Sequence, residues 1–279
     1  MKIIKYLSLG LVIILAASCK KNEITYMTTP DTGNAEFQLH YYAPVAANTA
    51  LNIIRVEIND QLIANTKAPL QTYNSIPGGS AGRFFSVAPG TNTVKLYMKG
   101  KSADSLVYNQ SVNMTARKQN IFIHDFTKAP VVFDNGFPYK GNLTETTDSV
   151  AWMKFYNFLY ETPALGTTAL KLQYQYVDPH TGNLINIGKP VAFGEATDWS
   201  PVIVVKDNLI SQGTRTMTFK IKTVDANGNI VGDLQILSGA STIAYTATMS
   251  VGIARRYHQI MAGFRNASPN CSVRSFAAL

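Results

Sequence analysis

The residues best suited to chemistry in this sequence are four histidines, His40, His124, His180 and His258. No two of them are two or four residues apart, the spacings at which histidines on one strand or helix share a metal ion. His124 precedes Asp125, but neighbouring side chains of a strand point to opposite faces. The Asp125 carboxylate is therefore not placed to orient the His124 ring as a general base. Gly-x-Ser-x-Gly and phosphate-loop motifs are absent. The sequence therefore predicts no catalytic residue, no metal site and no cofactor.

The first eighteen residues have the pattern of a cleaved signal peptide. Lys2 and Lys5 precede an apolar run over residues 7–17, which is too short to span a bilayer. Small residues, beginning at Ala16, lead to Cys19. This resembles the lipobox of bacterial lipoproteins and implies that Cys19 is lipidated. Leu is usual where Ala16 stands, so ordinary secretory cleavage before the same cysteine stays open.

The second cysteine, Cys271, lies near the C-terminus. Two cysteines are too few for a disulfide-rich scaffold or a cysteine-based metal site. We interpret Cys271 as a free thiol. A disulfide between Cys19 and Cys271 remains the alternative if Cys19 carries no lipid.

The segment after the signal peptide is polar, and we interpret residues 19–34 as the lipidated cysteine followed by a flexible tether. Surface-export signals beside a lipidated cysteine are usually richer in acidic residues than this segment, which has Glu23 alone in that place. We therefore expect anchoring to the outer membrane and leave the choice between cell surface and periplasm open.

Basic residues outnumber acidic ones by 25 to 17, for a net charge of +8. They occur as scattered pairs, such as Arg117–Lys118 and Arg255–Arg256, and form no dense run. We interpret them as solvated positions on strands and turns, with contact to an acidic polymer or anionic head groups as the alternative. An exported protein with this pattern is not expected to bind nucleic acid.

Alternation of apolar and polar residues dominates the rest of the chain and predicts β-strands. The clearest runs place on one face Phe37, Leu39 and Tyr41; Ile54, Val56 and Ile58; Val94, Leu96 and Met98; Leu170, Leu172, Tyr174 and Tyr176; and Met217, Phe219 and Ile221. Turn residues separate these runs, and no long amphipathic helix is evident. The fold class predicted is all-β, as an antiparallel sandwich or barrel.

The two halves of the chain match each other. The segments 39–42, 90–94 and 116–118 correspond to 153–156, 213–217 and 254–256, with an offset that grows along the chain. We interpret this as two tandem Ig-like antiparallel β-sandwich domains. The predicted division is signal peptide 1–18, tether 19–34, domain 1 at 35–127, linker 128–148, domain 2 at 149–265 and C-terminal tail 266–279.

These features together resemble envelope lipoproteins of the Bacteroidota that carry tandem β-sandwich domains of unknown function. In that family a phrase such as Pro-Ala-Gly-Thr precedes a central strand; Ala88–Thr91 is close to it, and Gln212–Thr214 is a looser match. The resemblance implies an extracytoplasmic location and β-sandwich domains. It carries no catalytic residues to this chain.

Two further positions have both a functional and a structural interpretation. Trp199 begins a predicted strand and is the candidate ligand-binding residue, since exposed aromatic rings stack on sugars; packing in the fold is the alternative. Trp152 is expected to fill the core. The segment Asp225–Asn229 resembles part of a calcium loop but lacks its remaining acidic ligands, so a hairpin turn is favoured.

The sequence thus favours a non-catalytic, lipid-anchored envelope protein that binds a glycan or another envelope protein. The alternative is a fimbrial or pilus-type subunit that assembles by strand addition, for which residues 266–279 are the candidate mobile strand. An enzyme is not expected, because no nucleophile or acid/base pair can be assembled.

Overall fold

The structure is a computed structural model that describes residues 33–78, 84–101, 103–135, 150–204, 213–225 and 227–278. Cys19, the tether and most of the predicted linker lie outside the described residues. Within the described residues, no helix is long and apolar enough to cross a membrane. The one helical element in them is a 3-10 turn at Thr49–Leu51.

The alternating segments form β-strands throughout the described residues, which confirms the predicted all-β class. The strands of the first half are β1 Ala35–Tyr41, β2 Ile53–Ile58, β3 Gln61–Ala64, β4 Asn74–Ile76, β5 Phe85–Val87, β6 Gly90–Lys99, β7 Asp104–Met114, β8 Lys118–Ile123 and β9 Val131–Asp134. Those of the second half are β10 Val150–Thr162, β11 Gly166–Thr167, β12 Lys171–Val177, β13 Leu184–Val191, β14 Ser200–Ile203, β15 Thr214–Val224, β16 Ile230–Asp233, β17 Gln235–Ser238, β18 Ser241–Ala244, β19 Thr246–Gly252, β20 Arg256–Phe264 and β21 Ser272–Ala278.

Each half of the chain builds two sheets of its own. Sheet A has the order β4-β1-β8-β9 with β5 also on β1, and sheet B has the order β3-β2-β6-β7. Sheet C has the order β11-β10-β20-β21 with β14 also on β10, and sheet D has the order β13-β12-β15-β16 with β19 also on β15. Strands β17 and β18 form a separate hairpin. The segments that matched in the sequence overlap β1 and β10, β6 and β15, and β8 and β20, which hold equivalent places in these sheets.

The strands of the described residues pair antiparallel except in two cases, where β1 pairs parallel with β8 and β10 pairs parallel with β20. The purely antiparallel arrangement expected from the sequence is therefore incomplete. In each half these two strands are far apart along the chain, and the strands between them belong mostly to the other sheet. Such a long crossover lets the chain return to its first sheet in the same direction.

Two apolar cores lie between the paired sheets. Sheets A and B enclose one core, in which the predicted face of β1 is fully buried. Sheets C and D enclose the other, in which Tyr174, Phe219 and Ile221 meet. On β2 the buried face is Ile53, Val56 and Ile58 rather than the expected face with Ile54, because the register of β2 against β6 shifts between Ile53 and Arg55.

A third apolar cluster joins the two halves. It lies on the sides of sheets A and C that face away from the two cores, so the layers follow the order B, A, C, D. Its buried members are Tyr42, Tyr73, Phe122, Tyr156, Phe158, Ile260 and Ala262. The polar positions of the alternating strands are therefore not uniformly solvent-facing, because on β1, β8, β10 and β20 they contact this interlayer cluster.

Two strands lie in segments that the sequence assigned to connections. Strand β9 falls within the predicted linker and pairs with β8, and β21 falls within the predicted tail and pairs with β20. Neither segment alternates apolar and polar residues over a long run, so each is recognised as a strand only from its pairing with a neighbouring strand. Trp152, expected in the core, lies half-buried on β10. The boundaries of the two domains remain predictions.

The interlayer cluster should contribute strongly to stability. Phe122 is fully buried there, with its ring centroid 5.1 Å from those of Tyr156 and Phe158. We expect Phe122→Ala to lower the free energy of unfolding by about 3–5 kcal/mol, because it leaves a cavity between the layers. Urea denaturation measures this. Leu62→Ala, at a side chain 56% exposed, is the control, with a change of about 0.5 kcal/mol or less; equal effects of the two variants would contradict this packing.

Candidate functional site

The first wall of a polar surface groove is the connection between β1 and β2. The 3-10 turn at Thr49–Leu51 begins there because the side-chain oxygen of Asn48 accepts a hydrogen bond of 3.1 Å from the Leu51 backbone N–H. This cap fixes the loop and holds Asn48, Thr49 and Asn52 along one side of the groove.

The second wall is a tight turn that enters β4. The Asn74 backbone N–H donates to the carbonyl of Gln71 across the turn, at 3.2 Å. Tyr73 takes a left-handed conformation there, with φ of 59°, which costs a residue with a side chain about 1–2 kcal/mol. Its backbone N–H bonds the Tyr41 carbonyl at 2.7 Å, and its ring packs edge-on against Tyr42. These contacts hold the strained turn in place.

The third wall comes from the other end of the chain. Strand β21 pairs with β20 so that Arg274 lies opposite Ile260 and Ser275 opposite Gln259. The amide nitrogen of Gln259 donates to the Ser275 hydroxyl at 2.8 Å. The guanidinium carbon of Arg274 lies 5.0 Å from the centre of the Tyr73 ring, a cation–π contact that joins the second half of the chain to the first.

The groove has a volume of about 490 Å³, within the range of small-molecule sites. Its lining is mainly carboxamide and hydroxyl side chains with one cation: Ala47, Asn48, Thr49, Asn52, Gln71, Thr72, Tyr73, Asn74, Arg274 and Ser275. Among the residues that the structure describes here, none brings a carboxylate, imidazole or thiol group to the lining, and burial raises the pKa of Tyr73 to about 12. The groove is therefore equipped to hydrogen-bond a ligand through amides and hydroxyls.

A second groove of similar size lies on the other side of the same 3-10 turn. Its described lining is more apolar and includes Leu51, Met98 and Val107 together with Lys99 and Lys101. It offers fewer hydrogen-bonding side chains, so the polar groove is the stronger candidate site. No group of three or more metal-binding side chains occurs among the described residues.

Stacked aromatic and imidazole rings support the strand that carries Arg274. Phe276, two residues further along β21, lies between two histidines, with ring centroids 4.6 Å from His40 and 4.4 Å from His258. His40 also stacks on Phe122 at 4.5 Å. The interlayer contact therefore positions the cationic wall of the groove.

Both of these histidines are fully buried and neutral. Burial lowers the pKa of His40 to about 4, against a smaller upward effect of its 3.0 Å hydrogen bond to the side-chain oxygen of Asn120. Burial lowers the pKa of His258 well below its usual value, and the positive charges that His40 and Lys154 can carry add to this. His258 shares a 2.7 Å hydrogen bond with the hydroxyl of Tyr156.

A third histidine of the interlayer region is also neutral. The Tyr160 hydroxyl donates to the backbone oxygen of His124 at 2.9 Å and accepts from its Nδ1 at the same distance. Burial lowers the pKa of His124, with Asp125 acting in the opposite direction and Lys128 adding to the decrease. His180, by contrast, lies exposed in a loop, where its backbone N–H donates to Asp178.

Trp199, the candidate ligand-binding residue, is only 9% exposed. Its indole N–H donates to the backbone oxygen of Asn135 at 2.8 Å, and its ring packs edge-on against His258 at 4.9 Å. This position matches the packing alternative and leaves little of the ring surface for stacking on a sugar. Trp199 contributes no atom to the polar groove.

The other residues singled out in the sequence lie apart from the groove. Cys271 is a buried free thiol whose pKa burial raises to about 12, and Cys19 lies outside the described residues. The Asp225 carboxylate accepts backbone N–H bonds from Asn227 and Asn229 in the connection between the antiparallel strands β15 and β16. Its oxygens therefore serve the hairpin turn favoured from the sequence.

Sequence reasoning missed every residue of the groove. Gln71 and Asn74 are ordinary turn residues, and Arg274 lies in the segment assigned to a tail. The signal available was the turn composition around Tyr73, but nothing in the sequence links that turn to residue 274. Only the pairing of β21 with β20 and the contact between layers bring them together.

No protein-family model matches the sequence, and no curated protein matches it. Three solved structures from Bacteroides have low similarity. A candidate adhesin of Bacteroides ovatus shares 8% identity, with 86% of this chain and 95% of that one covered and a TM-score of 0.18. A candidate cell adhesion protein of Bacteroides uniformis shares 10%, with coverage of 89% and 98% and a TM-score of 0.19.

The third is a leucine-rich repeat protein of Bacteroides thetaiotaomicron, with 10% identity and a TM-score of 0.19. The match covers 85% of this chain but only 26% of that protein. At TM-scores this low, these similarities define neither the fold nor the function of this chain. What the structure itself defines is an all-β protein with a polar groove whose described lining carries one charged side chain, that of Arg274.

The buried histidines predict a loss of stability in acid. Between about pH 6.5 and 4 the unfolded chain binds a proton at His40 that the folded chain does not, so acidification lowers the free energy of unfolding. The contribution of His40 is about 3 kcal/mol in order of magnitude over this interval. Urea denaturation at a series of pH values measures the slope.

His40→Gln should reduce that slope, because the remaining side chain does not titrate. His180→Gln, at the exposed loop histidine, is the matched control and should keep the slope of the unaltered protein. An unchanged slope in His40→Gln would show that protonation elsewhere controls acid unfolding.

The position of Trp199 predicts a structural rather than a binding defect. Trp199→Phe keeps an aromatic ring but removes the N–H that bonds Asn135, so we expect a loss of about 1 kcal/mol in the free energy of unfolding. Binding to glycan arrays should be unaltered. Loss of glycan binding with full stability would instead restore Trp199 as a ligand contact.

Proposed function

We propose that this protein is a non-catalytic binding protein of the cell envelope that holds a glycan in the polar groove. The observation that carries the proposal is the lining of the groove, in which amides and hydroxyls from three separate segments converge around one cation. Its ordered rim, set by the Asn48 cap and the Tyr73 turn, limits the conformational cost of binding. The function is adhesion or retention of a saccharide at the envelope.

The side-chain chemistry favours a ligand rich in hydroxyl groups. A carboxamide both donates and accepts hydrogen bonds, as a sugar hydroxyl does. Gln71 and Asn74 are exposed at the rim, and Asn52 is half-buried beside them. An apolar ligand would leave these groups without partners, at a cost in affinity. The lining also supports binding rather than turnover, because catalysis of glycoside cleavage uses a pair of carboxylic acids.

Anchoring by a lipid on Cys19, with the tether to residue 34 giving reach, completes the proposal. Its support is the sequence pattern, since these residues precede the described part of the chain. Several acyl chains on one cysteine give stable attachment without a membrane-spanning helix. Whether the anchored protein faces the cell exterior decides if the glycan belongs to a host or to the bacterial envelope.

The fimbrial alternative is less well supported. Strand addition needs a terminal strand that leaves its own sheet and fills an open groove in a neighbouring subunit. Here β21 pairs with β20 along its length, from Ser272 to Ala278, and Phe276 is inserted between two histidines. Removing this strand would expose the interlayer region, so donating β21 to a neighbouring subunit would destabilise the protein that donates it.

The rim amides provide the test of the glycan proposal. We expect Gln71→Ala combined with Asn74→Ala to weaken binding of a glycan identified on an array by about thirtyfold, as the loss of two hydrogen bonds of about 1 kcal/mol each predicts. Titration calorimetry measures the change. Asn109→Ala combined with Gln61→Ala removes two exposed amides that do not line the groove and is the matched control; equal weakening in both pairs would place the site elsewhere.

The location can be tested on whole cells. If the protein faces the exterior, protease added to intact cells should degrade it, as detected by immunoblotting. Cys19→Ala should release the protein from the membrane fraction, because the thiol that accepts the lipid is gone. Protection until the outer membrane is broken would place the protein in the periplasm, and membrane retention of Cys19→Ala would contradict the lipid anchor.

A further inference from the structure

We infer that the ligand of the polar groove is an acidic saccharide and that Arg274 binds its carboxylate. This inference rests on the proposed function and specifies the class of glycan. The relevant feature is the charge of the groove, because Arg274 is the one charged residue that the structure describes in a lining of amides, hydroxyls and an aromatic ring.

Arg274 differs from other arginines of the described chain in its surroundings. Arg55, Arg117 and Arg265 each form an ion pair with a carboxylate. Among the described residues, Arg274 has no ion pair with a carboxylate, and its guanidinium lies against the ring of Tyr73. Its charge is therefore available to a ligand.

The groups nearest to Arg274 do not compensate that charge. Arg274 acts electrostatically on Tyr42, Tyr73 and Tyr245, and burial raises the pKa of all three, so their hydroxyls are neutral. The described lining of the groove contains no aspartate or glutamate. A carboxylate entering the groove would meet a cation and no repelling anion.

The geometry suits recognition of a carboxylate. A cation–π contact with Tyr73 holds the guanidinium through its charge, so its N–H donors remain available. Two parallel N–H bonds from one guanidinium to one carboxylate give both strength and orientation. The exposed Ser275 hydroxyl is next to Arg274, and Gln71, Asn74 and Asn48 lie on the facing walls, where they can bind the hydroxyl groups of the same sugar ring.

Two features of the structure hold this arrangement in place. Tyr73 keeps a left-handed backbone conformation that disfavours any residue with a side chain, and in that conformation its ring lies beneath Arg274. Phe276 fixes the strand that carries Arg274 by stacking between His40 and His258. The cation is thus positioned by both halves of the chain.

The test compares ligands that differ only in charge. The probes are trisaccharides of galacturonic acid and of mannuronic acid, each paired with its own uncharged methyl ester, and titration calorimetry with the full mature protein gives the affinities. We expect at least one acid to bind at least tenfold more tightly than its ester, with a preference that falls as NaCl is raised. Equal or weaker binding of both acids than of their esters, or no binding of either acid, would overturn the inference.

Arginine variants identify the residue responsible. Arg274→Gln should remove the preference, so that each acid and its ester bind with equal affinity, and Arg274→Lys should retain part of it, because lysine keeps the charge but not the planar pair of donors. Lys189→Gln removes one positive charge from β13, which does not line the groove, and should keep the full preference. A preference that survives in Arg274→Gln, or disappears in Lys189→Gln, would assign it to general charge attraction and overturn the role of Arg274.

The same measurements distinguish failure of the acidic-ligand inference from failure of the proposed function. Suppose that the esters or other neutral glycans bind as tightly as the acids, and that the Gln71→Ala and Asn74→Ala variant weakens this binding. The groove is then a glycan site, and only the inference of an acidic ligand is wrong. If no glycan on an array binds, the proposed function itself fails. Arg274→Gln should lower the free energy of unfolding by no more than about 1 kcal/mol, because the side chain is exposed and loses only its contact with the Tyr73 ring.

Discussion

The packing of sheet A against sheet C is the contact on which the rest of this structure depends. In most sandwiches the outer face of a sheet is solvated, yet here Phe122 of one half lies against Tyr156 and Phe158 of the other. The aromatic side chains supply large apolar area, and the tilted and edge-on ring geometries among them are the favourable ones. This contact turns two separately cored halves into one body of four layers.

Burying that face has consequences for the polar residues on it. His40 and His258 lie where water is excluded, so they are held neutral, and one ring nitrogen of each shares a hydrogen bond, with Asn120 and Tyr156 respectively. A neutral imidazole packs like an aromatic ring, which lets Phe276 stack between the two. The histidines therefore serve as interlayer packing residues whose cost appears only in acid.

The groove is formed by the same contact between sheets A and C. Its amide rim belongs to the first half of the chain, while Arg274 and Ser275 belong to the last strand, and they meet because that strand is held between the layers. The groove thus exists only while the two halves are docked, and the position of its one cation depends on rings buried beneath it. Binding and interlayer packing are coupled through β21.

The sequence by itself determined the all-β class, the buried face of β1 and the repeat that relates β1 to β10 and β8 to β20, because a period of two residues is a local property of the chain. It also determined the turn at Asp225. It did not determine the bulge at Ile53, strand β21 or the burial of Trp199, since each depends on a partner strand or layer far away in sequence. The site at Arg274 was decided by tertiary structure alone, because an arginine in a segment without pattern becomes a binding residue only when packing places it over Tyr73.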